Sequence, residues 1–155
     1  MRSSAILFVV LLGASFLPLT KHAESSTVTP TTPFDEYGNI CWEQEQARLD
    51  NFAIQLQHDQ ELIAYIVVYA GRISCREEAT YRGNRARDYV VKRGLDSKRV
   101  IFKDGGFRLD LQTVLHLQPR SKPDYEVHPT LSKDKASIKR CIDKVFAKVL
   151  CLNNQ

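Results

Sequence analysis

The stretch Leu62-Ile63-Ala64-Tyr65-Ile66-Val67-Val68-Tyr69-Ala70-Gly71 leads through Arg72-Ile73-Ser74-Cys75-Arg76-Glu77 into an Arg-rich segment that stops at Gly94, and it decides the fold of this chain. Residues 62–69 are β-branched, aromatic and apolar with almost no polar interruption. That pattern predicts a central strand covered on both faces. Ser74 and Glu77 have the spacing of a capping box, a hydroxyl for an orphan N–H and a carboxylate three residues later. A helix is therefore expected from Ser74 to Arg93. Gly94 is its natural stop, with Lys92 and Arg93 at the negative end of the helix dipole.

Working outward, Phe34 to Ile40 reads as a short first strand with Gly38-Asn39 as a turn. Trp42 to His58 is helical in pattern, with Trp42, Leu49, Phe52, Ala53 and Leu56 recurring at steps of three and four. Arg99 to Lys103 is a second buried strand, followed by an Asp104-Gly105-Gly106 turn. From Leu109 to Gln118, apolar and polar residues alternate, the mark of a strand with one wet face. Ser132 is expected to cap a last helix running to about Cys151, its stripe formed by Ile138, Ile142, Val145, Val149 and Leu152.

The fold class that follows is α+β. It is a two-layer α/β sandwich of βαβαβ type, a mixed sheet with helices on one face, plus a C-terminal amphipathic helix. The bounds are 1–23 for a signal peptide, 24–33 and 119–131 for linkers, 34–118 for the α/β domain and 132–152 for the last helix. That helix is expected to fold back over the otherwise bare sheet face. A partner-binding stripe and a membrane-surface helix are the other readings of it.

The N-terminus carries Arg2 and an apolar run from Ala5 to Leu19, the length of a signal core and short for a membrane span. An exported chain is expected, periplasmic or extracellular. The net charge of +4 is too small to argue for nucleic acid. Membrane contact is expected only through the leader or weakly through the last helix. Export also makes disulfides possible among Cys41, Cys75, Cys141 and Cys151. Three connectivities exist. Cys41–Cys75 is the first choice, because both predicted helices start at the same edge of the sheet. Cys141 and Cys151 are ten positions apart, about 15 Å of helical rise, beyond disulfide reach on one helix.

No nucleophile elbow, P-loop or zincin motif occurs, and His58, His116 and His128 are scattered. Cys75 beside Arg76 at a helix start could hold a lowered thiol pKa, but a disulfide half is the simpler role. No C-x-x-C or His–Cys spacing suggests a metal. The chain reads as a non-enzymatic module without cofactor or metal. Its candidate site is the bend Gly71–Arg76, where Arg72, Arg76, Arg82 and Arg85 add carboxylate- or phosphate-matching forks to Ser74 at a helix start.

Phe34-Asp35, Ala47-Arg48-Leu49-Asp50, Ile66-Val67-Val68-Tyr69, Arg82 or Arg85-Ala86, and Gly94-Leu95 with Arg99-Val100 together resemble the OmpA-like peptidoglycan-binding domain, over about half of the chain. The resemblance implies a shortened, divergent envelope module whose partner is peptidoglycan or another anionic cell-wall ligand. In the family, an Asp after the central strand and an Arg on the next helix hold the end of the stem peptide. Here Ala70-Gly71-Arg72 stands where that Asp would be, and the Arg is Arg82 by one register and Arg85 by the other. The alternative is a degenerate domain that binds another envelope protein through its C-terminal helix.

Overall fold

The computed structural model describes residues 32–141, all within the second of the chain's two units, Thr31–Gln155. The signal peptide, most of the first linker and residues 142–152 of the expected last helix lie outside the described residues.

The elements are β1 (Asp35–Tyr37), α1 (Trp42–His58), β2 (Leu62–Ala70), β3 (Ile73–Cys75), α2 (Glu78–Lys92), a 3-10 turn (Ser97–Arg99), β4 (Val100–Phe107), β5 (Gln112–Pro119), a second 3-10 turn (Lys133–Lys135) and β6 (Ser137–Lys139). The main sheet has the order β1-β5-β2-β4, and β3 pairs with β6 in a separate two-stranded sheet. β4 runs parallel to β2, while β5 is antiparallel to both β1 and β2. The architecture is α+β with a mixed sheet.

The apolarity of β2 is used on both sides. Ala64, Ile66, Val68 and Ala70 join Leu49, Phe52 and Leu56 of α1 and Ala79, Ala86 and Val90 of α2 in one core. Tyr65, Val67 and Tyr69 join Val114 in a second cluster, against which Ile63, Ile101, Tyr125 and Val127 pack. A strand whose two sets of side chains each meet a core must be apolar at successive positions.

The cover on the second face differs from the expectation. The stretch 119–131, expected to be a linker, places Tyr125 and Val127 there. Its backbone is anchored by polar side chains of the sheet. Gln118 Nε2 donates to Pro123 O at 2.8 Å, Lys103 Nζ donates to Tyr125 O at 2.6 Å, and the Tyr69 hydroxyl accepts from His128 N at 3.1 Å. An irregular segment needs such partners, because its own backbone groups form no ladder. For the same reason β5 has no wet face. Its polar residues His116 and Gln118 are buried under this strap.

Three local expectations also change. Residues 132–141 form the second 3-10 turn and β6, so no helix begins at Ser132. β6 pairs in parallel with β3, Ser74 opposite Ile138, and this ladder competes with helix for the same residues. Asp104-Gly105-Gly106 lies inside β4, where the register against β2 shifts between Val68 and Ala70. Gly105 is needed there, since a Cβ would sit 2.5 Å from the Tyr69 ring, and Gly106 takes φ +80° in the bulge. Finally, α2 starts at Glu78. Its N-cap is Glu77 in the left-handed region at φ 61°, and no side chain caps it. Its end is as read: Gly94, at φ 90°, donates to Val91 O at 3.0 Å.

Candidate functional site

A cleft of about 520 Å³ opens where β2 and β4 end and α2 begins. Ala70, Ala79, Phe107, Val127, Pro129 and Ile138 give it apolar walls, and Arg76, Lys133, Glu77 and Asp104 bring charge of both signs. In a sheet with parallel strands the crevice beyond the strand ends is the usual place for a ligand, because helix N–H groups and loop residues converge there. Segments distant in sequence are tied together beside it. Arg76 N donates to Lys139 O at 2.9 Å, and Arg108 N donates to Ala70 O at 2.9 Å.

The five candidate residues divide into two groups. Arg72 and Arg76 are exposed on the segment entering and leaving β3, and Arg76 lines the cleft. Arg82 and Arg85 are committed to the fold. Arg82 is only 6% exposed, and its Nε donates to Glu78 Oε1 at 3.1 Å while Nη2 donates to Asn39 Oδ1 at 3.0 Å. Arg85 donates to the carboxylate of Glu45, which is only 2% exposed, and its guanidinium stacks 4.1 Å from the centre of the Trp42 ring. Glu45 in turn accepts from the Tyr37 hydroxyl at 3.2 Å. Burial, and then the Glu45 charge, push the Tyr37 phenol far above its ordinary range.

Ser74 is buried, and its Oγ has no partner among the described residues. The cap expected of it is not formed, and the contact here runs from the helix back to the strand: Glu78 Oε2 accepts from Cys75 N at 3.2 Å. Glu78 thus ties the start of α2 to β3 with one oxygen and to Arg82 with the other.

Cys75 bonds Cys141, with Cα atoms 5.5 Å apart, which corrects the expected Cys41–Cys75 pair. The reasoning about helix starts holds, since β1 and β2 run the same way and α1 and α2 both return against them. What the sequence concealed is β6, which brings Cys141 to β3. Cys41 is disulfide-bonded as well. With its sulfur in a cystine, Cys75 offers no thiolate at the cleft.

Under the strap, His116 stacks on Tyr125 with ring centres 4.3 Å apart, and His128 meets the Tyr125 ring edge-on at 6.3 Å. Burial, and then the nearby His128, hold the His116 imidazole below its ordinary pKa. Lys103 bonds Asp124 at 2.5 Å and holds that carboxyl below its ordinary value.

Among the described residues, no group of three or more His, Cys, Asp or Glu side chains converges as a metal site requires. No helix among them is long and apolar enough to cross a membrane. Lys133, Asp104, Val127 and Pro129 are the cleft residues that the sequence did not indicate. The Gly105-Gly106 pair carried the nearest signal, because a Gly pair inside a strand pattern marks a bulge and close backbone approach. Comparison with protein-family models, curated proteins and solved structures finds no match to this chain.

Proposed function

We propose that this protein is an exported, non-enzymatic module that binds a cell-wall stem peptide at the cleft between β2, β4 and the start of α2. The observation that carries the reading is the split among the arginines. Arg82 and Arg85 are neutralised inside the fold, whereas Arg76 and Lys133 stand at a concave, apolar-walled cleft. A peptide terminus suits such a lining. Its carboxylate matches Arg76 and Lys133, a free amine matches Glu77 and Asp104, and its methyl-bearing residues suit Phe107, Val127 and Ile138. The resemblance of residues 34–108 to OmpA-like domains and the leader-like N-terminus favour the same reading, as do the cystines, which suit an oxidising compartment.

The ligand contacts of this reading differ from those that the resemblance implies. The recognition arginine becomes Arg76, before the helix, in place of Arg82 or Arg85 within it. The test is co-sedimentation of the mature chain with purified peptidoglycan. The wild type should pellet, and an Arg76→Ala/Lys133→Ala double variant should remain in the supernatant with an unchanged circular dichroism spectrum. A wild type that stays soluble, or a double variant that pellets equally, rejects the reading.

A further inference from the structure

The two-stranded sheet concentrates positive charge apart from the main sheet. Residues 72–76 and 133–140 carry Arg72, Arg76, Lys133, Lys135, Lys139 and Arg140 against a single carboxylate, Asp134. Six cations and one anion make a net charge of +5, more than the +4 of the whole chain. Glu77 and Asp110 border this surface in sequence. All six cations are exposed, and none of their side chains forms an ion pair or hydrogen bond among the described residues. The arginines of the helix layer differ: Arg48, Arg82, Arg85 and Arg93 each face a carboxylate. The β3–β6 ladder and the Cys75–Cys141 bond hold the two cationic segments side by side against their mutual repulsion. A one-sign surface of this kind attracts an anionic partner.

Two apolar side chains decide the chemistry of that partner. Leu109 and Ile73 are 67% and 63% exposed, the highest among the large hydrophobics of the described residues. The Arg72 backbone ties their segments together. Its N–H donates to Leu109 O at 3.0 Å, and its carbonyl accepts from Ser137 N at 2.7 Å. Ile73 stands opposite Ser137 in the ladder, with Lys139 two positions on and on the same face, while Ser74 and Ile138 take the other face. Ser74 is buried and Ile138 lines the cleft, so Ile73 and Lys139 occupy the outward face. Apolar tips set among cations match the interface of an anionic bilayer, where headgroup phosphates meet the cations and the acyl boundary receives the tips. A soluble polyanion matches the charge alone and leaves Ile73 and Leu109 in water.

We infer that the outward face of β3 and β6, with the Leu109 turn beside it, docks on an anionic lipid bilayer. The cations meet the headgroups, and Ile73 and Leu109 enter the interfacial layer. Arg76 and Lys133 belong also to the cleft lining, whereas Arg72, Lys135, Lys139, Arg140 and the two apolar tips do not. The inference is therefore independent of the peptide proposed for the cleft.

The test is co-sedimentation of the mature chain with sucrose-loaded vesicles of phosphatidylcholine alone, or of phosphatidylcholine mixed with phosphatidylglycerol. The wild type should pellet with the mixed vesicles, stay in the supernatant with phosphatidylcholine alone, and lose binding as salt is raised. Each cation near such a surface contributes about fivefold in partition, so Lys135→Glu/Lys139→Glu/Arg140→Glu should weaken binding by roughly a hundredfold or more. Ile73→Ser/Leu109→Ser should weaken it severalfold. Both variants retain Arg76 and Lys133, so each should behave as the wild type does toward peptidoglycan, with an unchanged circular dichroism spectrum. A wild type that binds neither kind of vesicle, or both equally, overturns the inference without recourse to any variant. So does binding that the triple charge variant leaves intact. Salt-sensitive binding that Ile73→Ser/Leu109→Ser leaves intact assigns the surface to a soluble polyanion and equally overturns it.

Discussion

Replacing Gly83 by alanine should destabilise the protein even though it puts the best helix former in the middle of a helix. Gly83 is buried on the face of α2 that packs on β4. A Cβ built on it would lie 2.0 Å from Cε2 and 2.1 Å from Cδ2 of the Phe102 ring. Ordinary contact needs at least 3.4 Å, so the ring or the helix must move by about 1.4 Å. Phe102 belongs to β4 and packs against the main core, so the ring has little free travel. Overpacking of this severity costs about 3 kcal/mol, at the upper end of the usual range. Alanine returns about 1 kcal/mol in helix propensity. The net loss is about 2 kcal/mol, the difference of those two figures.

The sign should reverse once the ring is gone. Phe102→Val removes every ring atom that the new Cβ would meet, so in that background Gly83→Ala should stabilise by about 1 kcal/mol. Urea unfolding of the four proteins of the cycle gives a coupling of about 3 kcal/mol between the two sites. A Gly83→Ala protein that is more stable than wild type, or a coupling below about 0.5 kcal/mol, would show that α2 does not approach β4 through this glycine.

Three further outcomes follow from the same structure. Arg85→Ala leaves the Glu45 carboxylate buried without its guanidinium and should cost about 3 kcal/mol in urea unfolding, while Glu45→Gln/Arg85→Ala should recover part of that loss. Because burial lowers the folded-state pKa of His116, protonation favours the unfolded chain. The contribution is present above the ordinary value of 6.5 and is lost as pH falls through it. The urea midpoint should therefore drop between pH 8 and pH 5.5, with His116→Gln flattening the slope. Removing the Cys75–Cys141 bond, which spans 66 positions, should cost about 4 kcal/mol by loop entropy, and a Cys75→Ser/Cys141→Ser chain of wild-type stability would contradict the anchoring of β6 to β3.

The parts of the fold that were legible in the sequence are those set by local pattern. β2 and α1 announce themselves through period and composition, and Gly94 through the need for a left-handed residue after α2. What was not legible depends on pairing between distant short segments. β6 is three residues long and exposed throughout, so nothing in Ser137-Ile138-Lys139 marks a strand until β3 lies beside it. The Ser74–Glu77 cap pattern was genuine in spacing, yet β3 holds Ser74 in a ladder and leaves the helix to start at Glu78. The strap on the second face is invisible to any periodicity, because it is held by Tyr125, Val127 and side-chain bonds to carbonyls and has no regular structure. The candidate site shows the same division. Of the Gly71–Arg76 bend only Cys75 and Arg76 line the cleft, and whether an arginine faces outward or the core depends on Glu45, Asn39 and Glu78.

The most direct measurement is a titration of the 15N-labelled mature chain with a soluble stem-peptide fragment. The amides of Arg76, Glu78, Gly105, Gly106 and Val127 should shift together and saturably, and Arg76→Ala/Lys133→Ala should abolish the shifts. A wild-type spectrum that does not change, or shifts centred away from the ends of β2 and β4, would contradict the account.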